Sequence, residues 1–175
     1  VRTVRLDTTP PVVRIDSPIA GAWVNTAGIE VAGRVNDPSV TTVSLTLNVG
    51  APQTIVVVGG QFNQNVALVP GANTVTATDR AGNVSTPASV TVRFDNTKPE
   101  VTVTRPENNL VTRVASQLVS GNVSDRSIRE ATVYHNGVAL VPPTPIALDG
   151  SFAKMVALTA GSNTIEVRAT DAAGN

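Results

Sequence analysis

The chain contains no cysteine, so disulfides and thiolate-bound metals are excluded as sources of stability. With a single histidine, His135, zinc sites built on several imidazoles and Ser/His or Cys/His nucleophilic systems are excluded in turn. Aromatic residues make up 3% of the chain, which leaves few platforms for stacking on sugars or bases. The formal charge is zero at pH 7 and the basic residues are scattered, so no electrostatic footprint for nucleic acid or an anionic membrane is present. The longest apolar runs, such as Ile55-Val56-Val57-Val58, are far shorter than a membrane-spanning helix. The first residues lack the cationic and apolar regions of a signal peptide, and the chain reads as an internal or mature segment.

What is abundant is valine and threonine, in a chain that is 41% hydrophobic, and this favours strands over helices. The chain also repeats itself. Asp7-Thr8-Thr9-Pro10-Pro11 matches Asp95-Asn96-Thr97-Lys98-Pro99 at an offset of 88 residues, and the same offset carries Pro18 onto Pro106, Gly33 onto Gly121, Asp37 onto Asp125 and Asn48 onto Asn136. Small insertions, expected in loops, move later matches: Gly60-Gln61-Phe62 falls on Gly150-Ser151-Phe152, and Asp79-Arg80-Ala81-Gly82-Asn83 on Asp171-Ala172-Ala173-Gly174-Asn175. Read backwards, Thr3-Val4-Arg5-Leu6-Asp7 matches Thr91-Val92-Arg93-Phe94-Asp95. Residues 1–6 are therefore expected to be the last strand of a preceding unit, 7–94 a first full unit, and 95–175 a second unit without its last strand.

Period-2 alternation marks the strands. Ile29, Val31, Gly33 and Val35 are expected to face inward, as are Val43, Leu45 and Leu47, then Val75 and Ala77. Their counterparts are Val119, Gly121 and Val123, then Val133, then Ile165, Val167 and Ala169. Gln64 and Lys154 break the pattern by sharing parity with Phe62 and Val66 or with Phe152 and Val156, which predicts a bulge or an exposed edge. About seven short strands with turns every 8–12 residues predict an all-β fold of two tandem immunoglobulin-like Greek-key sandwiches. The strands are expected near residues 12–16, 29–35, 42–48, 54–58, 62–68, 73–78 and 88–94.

The string Gly60-x-Phe62-x-x-x-Val66-x-Leu68-x-x-Gly71-x-Asn73-Thr74, running on to Asp79-x-Ala81-Gly82-Asn83, resembles the bacterial immunoglobulin-like repeats, including the group named after domain B of glucodextranase. Gly150, Phe152, Val156, Leu158, Gly161, Asn163, Thr164, Asp171, Ala173, Gly174 and Asn175 repeat it. Asp7-Thr8-Thr9-Pro10-Pro11 looks like the joint between repeats of large bacterial surface adhesins. The resemblance implies an extracellular or cell-surface setting. It implies a role as a stalk in adhesins or as an accessory module of secreted glycoside hydrolases, and it names no ligand.

Carboxylates are the remaining candidates for chemistry. Asp7 with Asp95, Asp37 with Asp125, and Asp79 with Asp171 recur in register. One reading is local, with each Asp accepting backbone hydrogen bonds in its own turn. The other uses topology: the B–C and F–G loops and the entry of strand A share one end of such a sandwich. Asp7, Asp37 and Asp79 are then expected to converge in one unit, and Asp95, Asp125 and Asp171 in the next. Three such carboxylates suit Ca²⁺, with Asn36, Asn96 or backbone carbonyls completing the shell, and Arg80 or Arg126 offers charge pairing instead.

His135 aligns with Leu47 and is expected to be a partly buried structural residue. Trp23 is expected to cover the sandwich end or to stack on a glycan, and Tyr134 to point outward; neither has an aromatic counterpart in the other unit. No catalytic constellation is found, so the chain is expected not to be an enzyme. The expected role is a non-catalytic spacer or stalk, with an accessory carbohydrate- or surface-binding module as the alternative. Expected partners are neighbouring repeats of the same polypeptide, a surface glycan or protein, and a second copy joined head to tail by residues 1–6, because a sandwich without its last strand leaves an edge that recruits one.

Overall fold

The computed structural model describes residues 10–79, 86–125 and 127–175, with residues 75–79 described by their backbone. Residues 1–6, Asp7, Arg80, Arg126 and the side chains of Val75, Ala77 and Asp79 lie outside the described set. Among the described residues every regular element is a strand. Contacts divide the chain into Val1–Asn96 and Thr97–Asn175, here the first and second units.

The first unit holds β1 (Val13–Ser17), β2 (Trp23–Val24), β3 (Gly28–Val35), β4 (Thr42–Leu47), β5 (Gln53–Val56), β6 (Gln61–Ala67), β7 (Gly71–Asp79) and β8 (Ala88–Phe94). One sheet runs β1-β3-β6 and the other β2-β8-β7-β4-β5. All pairings are antiparallel except β2 with β8. The alternation does what it predicts: Val31 and Val35 of β3, Val43 and Leu45 of β4, Phe62 and Val66 of β6, and Val90, Val92 and Phe94 of β8 meet in one core. Val31, Val43 and Val92 are 0% exposed, so side chains rich in valine close the interior without a disulfide.

The parity break at Gln64 has an edge as its cause. Pairing of β3 with β6 is unbroken from Gly28↔Ala67 to Arg34↔Gln61, so no bulge occurs. β6 lies at the edge of its sheet, where Gln64 stays half-buried and donates to the Asn65 carbonyl at 3.0 Å.

In the second unit β9 (Val101–Arg105), β10 (Ser116–Val123) and β14 (Ser151–Ala157) form one sheet, ordered β14-β10-β9. In the other sheet β11 (Glu130–His135) pairs with β12 (Val138–Ala139), β13 (Thr144–Pro145) and β15 (Ile165–Ala169). Val119, Val123, Val133, Phe152 and Val156 make its core. Lys154, the counterpart of Gln64, directs its ammonium to the carbonyls of Leu140 and Pro142, so an inward-parity lysine finds acceptors at the sheet margin.

β15 has five residues where β7 has nine. The difference follows from pairing. In the first unit Val75–Asp79 pair with β4, whereas Gly71, Ala72, Asn73 and Thr74 are held as strand by β8 alone. Among the described residues the second unit has no strand in the position of β8.

Each unit also contains one close approach of a ring to bare backbone. Gly33 pairs with Phe62 and Gly121 with Phe152. A Cβ on Gly33 would come within 3.0 Å of the Arg14 carbonyl and the Phe62 ring, and one on Gly121 within 3.0 Å of the Thr102 carbonyl and the Phe152 ring. Gly33→Ala and Gly121→Ala should each destabilise their unit by roughly 1–3 kcal/mol in urea unfolding, the usual cost of overpacking. Gly28→Ala, where a Cβ meets nothing within 4 Å, is the control and should be near neutral.

Candidate functional site

The recurrent aspartates sit in turns that consume part of their hydrogen-bonding capacity. Asp37 follows β3, and its Oδ1 accepts from the Ser39 N–H at 2.8 Å and the Ser39 hydroxyl at 2.7 Å. Asp125 follows β10 and repeats this with Ser127 at 2.7 and 2.8 Å. Asp149 does the same with Ser151 between β13 and β14, and these bonds hold its carboxyl below the usual carboxylate range. The local reading of these residues is therefore what the bonds describe: an Asp-x-Ser segment in which the carboxylate caps the turn.

Asp171 is different in degree, since it is 7% exposed. Its Oδ1 accepts from the N–H groups of Ala173 at 2.9 Å and Asn175 at 2.8 Å, and its Oδ2 from the Asn175 side chain at 2.8 Å. Burial pushes this carboxyl up, but the bonds from Asn175, Ala173 and Gly174 outweigh it and the net shift is downward. Within the second unit a carboxylate oxygen of Asp125 lies within 4.8 Å of one of Asp171. Asp95 belongs to the first unit, where its N–H donates to the Val24 carbonyl at 2.9 Å. Asp7 and the side chain of Asp79 are outside the described residues.

The second recurrent feature is an asparagine clamp whose role does not follow from alternation. Asn73 is 0% exposed and uses its whole amide: it donates to the carbonyls of Val69 at 2.6 Å and Gly71 at 3.0 Å and accepts from the Val69 N–H at 3.0 Å. Asn48, at φ 53°, donates to Asn73 Oδ1 at 3.2 Å and accepts from the Thr74 N–H at 2.7 Å. Asn163 and Asn136 repeat the arrangement on Thr159, Gly161 and Thr164.

There the extra donor is His135. Asn163 Oδ1 already accepts the Thr159 N–H, so it is the acceptor for His135 Nε2 at 2.7 Å and the ring nitrogen donates. The half-buried His135 is thus a structural donor. The recurrence of Asn48, Asn73, Asn136 and Asn163 in the repeat was the signal for this clamp.

The aromatic candidates are engaged by arginine. The Arg93 guanidinium lies 5.3 Å from the centroid of the half-buried Trp23 ring, and that of Arg168 lies 4.6 Å from Tyr134. Trp23 lies in β2, paired with Arg93 of β8, instead of a free loop. Arg168 also pairs with Glu166 at 2.6 Å, which lowers the Glu166 carboxyl.

Comparison with known proteins gives consistent results. The family model described as glucodextranase, domain B, matches residues 11–96 and again residues 99–175. Bacillopeptidase F of Bacillus subtilis (strain 168) is 32% identical over 166 residues, 94% of this chain but 11% of that protein, so the chain spans a small part of its curated relative. Among solved structures, the fibronectin(III)-like modules of Clostridium thermocellum CbhA match with a TM-score of 0.57 at 20% identity, covering 93% of this chain and 87% of that one. That likeness concerns the fold.

The downward shift at Asp171 sets a pH dependence. A carboxyl with a lowered folded pKa contributes stability above its unfolded value, and the contribution is lost as pH falls through the folded one. The second unit should lose stability on acidification below the ordinary aspartate range, and Asp171→Asn should show a shallower acid limb when unfolding free energy is measured against pH. Parallel acid limbs would remove Asp171 from this role.

Proposed function

Because the chain belongs to the glucodextranase domain B family, we propose that it serves as a non-catalytic spacer or stalk segment of a larger extracellular bacterial protein. The fold is immunoglobulin-like and fibronectin(III)-like, an accessory architecture and not a catalytic one. The observation that carries the reading is where the recurrent polar groups spend their bonds. Asp37, Asp125, Asp171, Asn73 and Asn163 are each committed to their own turns, which suits a unit selected to keep its shape. An enzyme of this size needs the opposite, polar groups aimed at a shared reacting atom.

The spacer is stiffened by Ca²⁺ at its joints. Support comes from the proximity of Asp125 to Asp171 in the second unit, together with the sequence register that adds Asp95 to this pair and groups Asp7, Asp37 and Asp79 before the first unit. Carboxylates this close repel unless a cation lies between them, and Ca²⁺ accepts six to eight oxygens in flexible geometry. The Asp125 and Asp171 turns already supply oriented oxygens, with Asn175 and Ser127 fixing them.

The second reading, an accessory carbohydrate-binding module, is favoured by the name of the family, which comes from a glucodextranase. Against it stand the arginine-covered Trp23 and Tyr134, each of which has one face engaged within its own unit.

Two measurements follow. Calcium in excess should raise the melting temperature by several degrees and EDTA should reverse it, since about 1 kcal/mol of linkage moves a domain of this size by roughly 4–8 °C. Asp125→Asn should abolish the calcium increment; a melting temperature indifferent to calcium would contradict the ion. On a glycan panel the chain should give no signal that Trp23→Ala removes, and a glycan lost with Trp23→Ala would establish the second reading instead.

A further inference from the structure

A strand at the margin of a sheet presents a row of N–H and C=O groups to any other chain, and proteins guard such margins with charge, proline or a bulge. The sheets β1-β3-β6 and β14-β10-β9 have four margins between them. Three are guarded. β1 carries Arg14 and Asp16, and its register with β3 shifts between Ile15 and Ser17. β9 carries Arg105, and its register with β10 shifts at the corresponding place, opposite Ser120 and Gly121. β14 carries Lys154, whose ammonium reaches the Leu140 and Pro142 carbonyls. β6 uses none of these devices: Gln61–Ala67 contains neither charge nor proline, and its ladder with β3 has no bulge.

The turn before β6 shows which of its peptide groups face outward. Val58 and Gln61 bond to each other in both directions, N–H to carbonyl, at 2.8 and 3.0 Å, so the peptide groups of Gln61 point away from β3. The Gly60 carbonyl and the Leu68 N–H, of the opposite parity, bond to Val35 and Ala27 on the β3 side. Alternation then directs the N–H and C=O of Asn63, Asn65 and Ala67 to the open side of the sheet. Among the described residues no strand lies against them. Their side chains are exposed as well, and the edge is flanked by Val58 and Val69, 75% and 55% exposed.

We propose that the outer edge of β6 is a docking site whose occupant is the same edge of a second copy of this chain, added antiparallel about a twofold axis at Asn65. The bonds fix that register. A centre at Asn63 would need the peptide groups of Gln61, which Val58 holds. A centre at Asn65 sets Asn63 against Ala67, Asn65 against Asn65 and Ala67 against Asn63, and each pair exchanges both its backbone bonds. Position 69 of the second copy then falls where Val58 pairs with Gln61, so the ladder stops at Ala67 and Val58 of one copy meets Val69 of the other. The side chains favour a like partner. A carboxamide is donor and acceptor at once and pairs with its own kind, whereas a charged strand would find no counter-charge on β6. No aspartate lies on β6, so the proposal does not depend on calcium.

Sedimentation equilibrium of the full 175-residue chain over a wide concentration range tests it, in EDTA so that a calcium-driven association is kept apart. The expected result is a monomer–dimer equilibrium. Asn65→Lys sets two ammonium groups against each other at the axis and should weaken the dimer about tenfold or more, whereas the uncharged Asn65→Ser should weaken it far less. Hydrogen exchange at the amides of Asn63, Asn65 and Ala67 should slow as the wild-type dimer forms, and exchange at Ala153, Met155 and Ala157 of the guarded β14 should not. That pattern decides independently of any variant. A wild-type chain that stays monomeric throughout, a dimer as strong in Asn65→Lys as in the wild type, or association that leaves the three β6 amides unprotected would overturn the proposal.

Discussion

A phenyl ring laid on bare backbone sets the register from which the rest of each unit follows. Phe62 lies opposite Gly33 and Phe152 opposite Gly121 because no other residue leaves space for the ring and the adjacent carbonyl together. A one-residue slip of β6 or β14 would turn Phe and Val to solvent and present a side chain where the ring must lie. With that register fixed, the carbonyls of Gly60 and Gly150 accept hydrogen bonds from the N–H groups of Val35 and Val123. The ends of β3 and β10, and hence the turns of Asp37 and Asp125, are then placed. Cores built mainly of valine, with no cysteine in the chain, depend on such a pin.

Much of this was legible because the side-chain period of a strand is simple. Val31, Val43, Leu45, Val119 and Val133 are buried where alternation puts them. What escaped was whatever depends on the neighbouring strand. For Gln64 and Lys154 the parity break left a bulge or an exposed edge open, and the positions of β6 and β14 at the edges of their sheets decide for the edge. Trp23 and Val24 become β2 only because β8 offers them a parallel partner, and nothing in two residues announces a strand. The extra length of β7 over β15 likewise belongs to β8.

Among the site candidates, the turn role of the aspartates was legible from residue type and spacing. The asparagine clamp was legible only as repetition, since a buried amide that ties the Val69–Asn73 turn to Asn48 is a property of two segments meeting. His135 shows the same limit. Alignment with Leu47 placed it at the strand end, but its bond to Asn163 came from the fold. Asp125 and Asp171 are brought close by the ends of β10 and β15, while Asp7 and the side chain of Asp79 lie outside the described residues.

In both units polar side chains maintain turns, and among the described residues no set of reacting groups is arranged around a shared point. In the proposed spacer role, such units would resist extension. Single-molecule pulling between residue 10 and residue 175 tests that most directly. The account predicts two separate unfolding events, each releasing on the order of 25–30 nm of chain at roughly 3.5 Å per residue. Smooth extension of the chain without a force peak would contradict the spacer role.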